Sequence, residues 1–207
     1  MWSWLSVALA GFISISASEN NNKFQAATFK TLTLSLLLFM LLTQVGDLGT
    51  SLVWIAGGLI VSMLADALYI FRRKQRLCFA FFLLAQLSYS KFFWLQLSGD
   101  IVWWLPAMLL GAAVVAFFLL LPKIDRFIFP VVIMGMVLIQ LNWAAGEVWL
   151  LERTSSAALA FAGTLTLTAS AAVLALHDYR HSIALGQYLI SGSYLLAHAL
   201  ITASLII

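Results

Sequence analysis

The chain has 207 residues, of which 63% are hydrophobic and only 9% charged, and its mean hydropathy is +1.03. A soluble domain averages roughly 45–50% apolar and about 25% charged, so these values exclude an ordinary soluble domain, a disordered chain and a collagen-like or disulfide scaffold, and they point to an integral membrane protein. The net charge of +3 comes with no Lys/Arg run interleaved with aromatics, so no nucleic-acid partner is expected, and the single cysteine, Cys78, has no partner for an internal disulfide.

In chain order, polar punctuation separates eight mostly apolar segments, each near the roughly 20 residues that a helix needs to cross a bilayer. They run over 2–17, 25–44, 52–71, 77–97, 101–121, 127–150, 157–176 and 183–206. The first, "MWSWLSVALAGFISISAS", lacks the positive n-region of a signal peptide and reads as a membrane helix. The connectors are short, so consecutive helices are expected to be antiparallel neighbours. The expected fold is all-α: one integral membrane domain over 1–207, a polytopic bundle of eight transmembrane helices.

Lys and Arg collect on cytoplasmic connectors. Alternate connectors carry Lys23, then Arg72, Arg73, Lys74 and Arg76, then Lys123 and Arg126, then Arg180; the other three carry only Arg153. This bias predicts that both termini face outside. Trp2, Trp4, Trp54, Trp94, Trp103, Trp104 and Trp149 mostly fall near outer helix ends, the depth that indole rings favour. In the seventh segment Ala158, Ala162 and Thr166 recur every fourth position, which predicts a close-packed face.

Ionisable side chains inside membrane spans are costly and tend to persist where they are paired or used. The spans contain Lys30, Asp66, Lys91, Glu147 and His198, with Gln86 as a further polar group. At a rise of about 1.5 Å per residue, Lys30 and Asp66 lie about 9–10 Å in from the cytoplasmic side, level with Ser170. A Lys30–Asp66 ion pair between the second and third helices follows from that match. Gln86, Tyr89, Ser191 and Tyr194 fall near the middle, Lys91 and His198 beyond it, and Glu147 near the outer end. Lys91 has two open readings, a pair with Glu147 or His198, or an ammonium reaching outward along its own stem.

Other chemistry is weakly signalled. In "HDYRH", His177 and His181 have a spacing that suits a metal on one helix face, but no third ligand is in reach, so neither a metal nor another cofactor is expected. Ser170 has no adjacent base to make it a nucleophile, and no phosphate-binding glycine loop occurs. A transporter would suggest matched broken spans in two halves, and Pro106, Pro122 and Pro130 lie instead near span ends.

Several segments, in order along nearly the whole chain, resemble the lysoplasmalogenase (YhhN) family of multi-pass membrane proteins. "FKTLTLSLLL" is similar to the family's Lys-containing second helix, and "LADALYIF" to its Gly-Asp motif, with Ala65 in place of the glycine. "FFLLAQLSY" resembles its Phe-rich helix, with Gln86 where His is frequent and Tyr89 retained. "AAGEVWLL" carries Glu147, and "SYLLAHALI" carries Tyr194 and His198. Where the family commonly has Ser-Asp-Ser, this chain reads Ser170-Ala171-Ala172, so only the first of two family acids is present.

The resemblance implies hydrolysis of the vinyl ether bond of a lysoplasmalogen, a lysophospholipid substrate met in a lipid bilayer, in a bacterial inner membrane. It implies Asp66, Glu147, Tyr89, Tyr194 and His198 as catalytic candidates, with Lys30, Gln86 and Ser170 binding substrate. Vinyl ethers cleave by protonation of the alkene carbon, giving an oxocarbenium ion that water captures, so a proton donor and a negative group beside the cation are needed. Burial favours the neutral form of a carboxyl, and a neighbouring lysine favours the carboxylate. The competing expectation is a lipid- or small-solute-binding or transport protein without hydrolytic activity, which the missing second acid favours.

Overall fold

In lipid every backbone polar group must be satisfied within the protein, which leaves helices as the economical solution for a chain this apolar. The computed structural model describes residues 2–20, 22–45, 49–69, 75–99, 101–120, 128–179 and 185–207. Within them the chain forms eight helices: α1 Trp2–Glu19, α2 Lys23–Gln44, α3 Thr50–Tyr69, α4 Gln75–Trp94, α5 Trp104–Leu120, α6 Ile128–Glu152, α7 Ser155–Tyr179 and α8 Gly186–Ile206. Each coincides with an expected segment. Five of them, α2, α4, α6, α7 and α8, are long and apolar enough to cross a membrane; α3 and α5 carry shorter apolar stretches, Leu52–Leu68 and Trp104–Phe118.

Local chemistry sets the helix ends. The Asn22 side chain accepts a hydrogen bond from the Gln25 amide and caps α2. Between α6 and α7, Arg153 turns with a positive φ of 53°, and Thr154 Oγ1 accepts from the Ala157 amide at 3.1 Å. Of the basic residues that carried the orientation argument, Arg72, Arg73, Lys74, Lys123, Arg126 and Arg180 lie outside the described residues, as does His181.

The helices pack as a ring. α2 contacts α3, α3 contacts α4, α4 contacts α6, α6 contacts α7, α7 contacts α8, and α8 returns to α2. α1 lies on α2 and α8, and α5 lies on α6, with a slighter contact to α7. The α7–α8 seam is close because α7 presents Ala157, Ala160, Gly163, Thr164 and Leu167 inward. A Cβ at Gly163 would sit 2.8 Å from Ile201 Cγ1 and 3.1 Å from the Ala197 carbonyl oxygen. This corrects the expected face: Ala162 is exposed. A strict four-residue repeat drifts around a helix of 3.6 residues per turn, whereas mixed steps of three and four stay on one side.

The interior holds Leu34, Leu37, Leu41, Ile55, Leu59, Tyr89, Phe93, Leu141 and Ile201, all fully buried. Trp2, Trp54 and Trp104 near the starts of α1, α3 and α5, and Trp149 near the end of α6, are exposed. An alternating bundle gathers those helix ends at one face.

Candidate functional site

The α2–α3 and α2–α8 contacts bring three side chains to one point inside the ring. Lys30 Nζ lies 2.7 Å from Asp66 Oδ1, and the Tyr194 hydroxyl donates to Asp66 Oδ2 at 3.0 Å. The ammonium also sits 3.9 Å from the centroid of the Tyr194 ring, a cation–π position. Asp66 thus has a partner on each oxygen, one charged and one neutral, from two other helices. Its side chain is 2% exposed against 22% for Lys30, so the cluster meets its surroundings on the lysine side. The ion pair expected from matched depths is present.

A second layer surrounds the carboxylate. Tyr89 Oη lies 3.3 Å from His198 Nδ1, and the His198 ring stands edge-on to Tyr194 with centroids 4.4 Å apart. Phe82 meets Tyr194 edge-on at 6.1 Å. Ser62, buried one turn before Asp66, is within polar reach of both phenols. Gly58, a further turn back, is a notch that the Tyr89 ring fills; a Cβ there would overlap the ring. Cys78 Sγ lies 3.3 Å from the Ala65 carbonyl oxygen, fastening α4 to α3 beside the acid. Ser62, Gly58, Phe82 and Cys78 were not singled out from the sequence. Their signal was spacing: 58, 62 and 66 share a face of α3, and 78, 82, 86 and 89 share a face of α4.

Other expected site residues stand elsewhere. Ser170 donates to the Ile190 carbonyl at 2.9 Å, so its hydroxyl ties α7 to α8 one turn from Tyr194. Gln86 is buried on α4, one turn before Tyr89. Glu147 is buried, but its Oε1 accepts from the Val102 amide and from Trp143 Nε1, each at 2.9 Å. It pairs with neither Lys91 nor His198: Lys91 is exposed, the outward of its two readings, and His198 faces Tyr89. Trp143, unremarked in the sequence, packs edge-on to Trp94 at 5.2 Å. A cleft of about 310 Å³ at the α1–α2 turn, lined by Phe12, Ser16, Asn20, Asn22 and Gln25 among others, includes none of these residues. Among the described residues no three His, Cys, Asp or Glu side chains gather as metal ligands would.

The interior of this bundle therefore carries an acid, an amine, two phenols and an imidazole in contact. Comparison with known proteins gives the context. The model of the YhhN family matches residues 25–205. The chain belongs to the YhhN family. Its relatives include the "Uncharacterized membrane protein YhhN" of Escherichia coli O6:H1 and that of Shigella flexneri, each 32% identical over 208 residues and covering 99% of both chains. No solved structure matches. The YhhN match embraces every member of the Asp66 cluster, from Lys30 in α2 to His198 in α8. The protein is accordingly a membrane protein of the YhhN family.

Proposed function

We propose that this YhhN protein is a membrane hydrolase that cleaves the vinyl ether bond of single-chain ether phospholipids, releasing a fatty aldehyde and a glycerophospho-headgroup. In this reading all eight helices span a bacterial inner membrane, with both termini outside and the Lys30–Asp66 level in the cytoplasmic half. The observation that carries it is the buried Lys30–Asp66–Tyr194 contact, since a carboxylate held by a cation inside an apolar bundle suits a reaction that develops positive charge.

The tight ion pair gives Asp66 two tasks in turn. In an apolar site a proton can pass from the Lys30 ammonium to the carboxylate, because neutral partners cost less to bury than separated charges. Asp66 then delivers that proton to the alkene carbon, and its carboxylate is left facing the oxocarbenium ion. Water adds to the cationic carbon and gives up a proton to the lysine amine, which restores the pair. The hemiacetal collapses to aldehyde and alcohol, so one water is consumed and no proton is gained or lost. Tyr194 holds the second carboxylate oxygen in place throughout. Lys30, the most exposed member, receives the phosphate side of the substrate.

The runner-up is a lipid- or solute-binding protein without hydrolysis. It is favoured by Ala171 at the position of the second family acid and by the engagement of Ser170 with the Ile190 carbonyl. Aldehyde release from a vinyl ether lysophospholipid by purified protein decides between them. Turnover by the wild type and its loss in Asp66→Asn is the expected result; undiminished turnover in Asp66→Asn removes Asp66 from the mechanism.

A further inference from the structure

Asp66 has a partner on each oxygen, yet the interior beside it is not fully bonded. On α4, Gln86 Oε1, Ser90 Oγ and Trp94 Nε1 are enclosed and have no hydrogen-bond partner in the protein; on α8 the same holds for His198 Nε2 and Thr202 Oγ1. These residues recur at four-residue steps, so each set forms a row that winds slowly around its helix. The two helices face each other: Phe82 meets Tyr194, and Tyr89 meets His198. Both contacts advance in the same sense, so α4 and α8 run parallel here. The α4 row rises about 12 Å from Gln86 to Trp94. The side chains of Gln86, Ser90, His198 and Thr202 are all more than nine-tenths buried.

An enclosed polar atom without a partner costs about 1–3 kcal/mol, and several in one row call for a shared partner. The chemistry selects water over other small ligands. Gln86 Oε1 is a carbonyl acceptor and would repel an anion, Ser90 and Thr202 offer hydroxyls, and the described residues in contact with the row carry no cation beyond Lys30 at its inner end.

We infer that the interior between α4 and α8 holds a water-binding track, running from Trp94 and Thr202 past Ser90 to His198 and Tyr89, which feeds the nucleophilic water to Asp66. The inference rests on the hydrolase reading for its purpose but not for its existence. Substrate then enters on the Lys30 side while water arrives from the opposite end, so neither crosses the other's path. The Tyr89–His198 contact is the last relay, since the His198 ring abuts Tyr194 and Tyr194 holds Asp66.

Radiolytic hydroxyl-radical footprinting of the purified protein in lipid nanodiscs tests the track directly, because radicals formed from enclosed water label the side chains beside it. Prompt oxidation of Tyr89 and His198 is expected in the wild type, and its loss in Ser90→Ala/Thr202→Val, which keeps the shape of the track. Unmodified Tyr89 and His198 in the wild type would overturn the track. With a vinyl ether lysolipid the double variant is expected to lose turnover about tenfold at unchanged KM, the worth of one bridging hydrogen bond, and Thr202→Ser to keep it. Wild-type turnover that the double variant leaves intact overturns the delivery role. A wild type that hydrolyses nothing sinks the hydrolase reading, and the footprint still decides the track.

Discussion

Two acids are buried among the described residues, and they are held in opposite ways. Asp66 is gripped by a cation and a phenol from two other helices. Glu147 is gripped by two neutral N–H groups, one from Trp143 a single turn away and one from the backbone at Val102, just before α5. The first arrangement is the one that the proposed hydrolase uses, a proton source beside a negative charge. The second pins the segment entering α5 to the side of α6 and offers no group with which to exchange a proton. Burial alone does not tell the two acids apart; the identity of the partner does.

The sharpest way to break this comparison is to neutralise the acids one at a time. Asp66→Asn is expected to lower vinyl ether hydrolysis by at least about 100-fold, the scale of a lost general acid, measured as aldehyde release. Equal losses from substitution at Glu147 would erase the distinction.

The next largest effect concerns the pair as a pair. Lys30→Met leaves a carboxylate buried without its cation, which costs about 3–5 kcal/mol when both partners are inaccessible. Lys30 is partly exposed, so a loss near the lower limit of that range is expected, read as the shift of thermal unfolding in detergent. Lys30→Met/Asp66→Asn is expected to recover most of it, because no unpaired charge then remains. A double variant as unstable as Lys30→Met would mean that the pair holds the helices by shape and not by charge.

Much of this site was legible before any coordinates, and the parts that were not share a cause. Lys30 and Asp66 could be matched because depth follows from counting residues, and both count from polar ends of neighbouring helices. Tyr194 could be given a depth but no direction around α8, so its bond to Asp66 was invisible. Ser62 looked like any serine in an apolar helix, where hydroxyls commonly bond back to their own turn. The partners of Glu147 were hidden for a different reason: a backbone amide carries no residue-type signal, and Val102 belongs to another segment. The face of α7 was misread by one position because small residues occur on both sides of that helix, and only contact with Ile201 selects Gly163 over Ala162.

The notch at Gly58 sharpens the comparison from the packing side. A methyl group there overlaps the Tyr89 ring, which cannot retreat past His198 without breaking their contact. Gly58→Ala is expected to cost about 1–3 kcal/mol of stability by overpacking. It should also lower turnover at unchanged KM, since Tyr89 stands beside the reacting acid and not at the Lys30 edge. Gly57, whose Cβ position has open space, is the control: Gly57→Ala is expected to leave turnover unmoved and to raise stability by up to about 1 kcal/mol, since alanine is the better helix former.

The smallest effect belongs to Glu147, and it is the one that most directly tests what its partners mean. Glu147→Gln keeps a carbonyl oxygen able to accept from Trp143 and Val102, so the tie to the segment before α5 survives with weaker bonds. Hydrogen bonds to a charged acceptor contribute about 1.5–3 kcal/mol against about 0.5–1.5 for neutral ones. A loss of roughly 1 kcal/mol is expected on that difference, with hydrolysis within twofold of the wild type. Glu147→Ala removes the acceptor and should lower stability further while still sparing turnover per folded molecule. Turnover that collapses in Glu147→Gln, with the fold intact, would make Glu147 the second acid that Ala171 no longer supplies and would put both ends of the bundle into one mechanism.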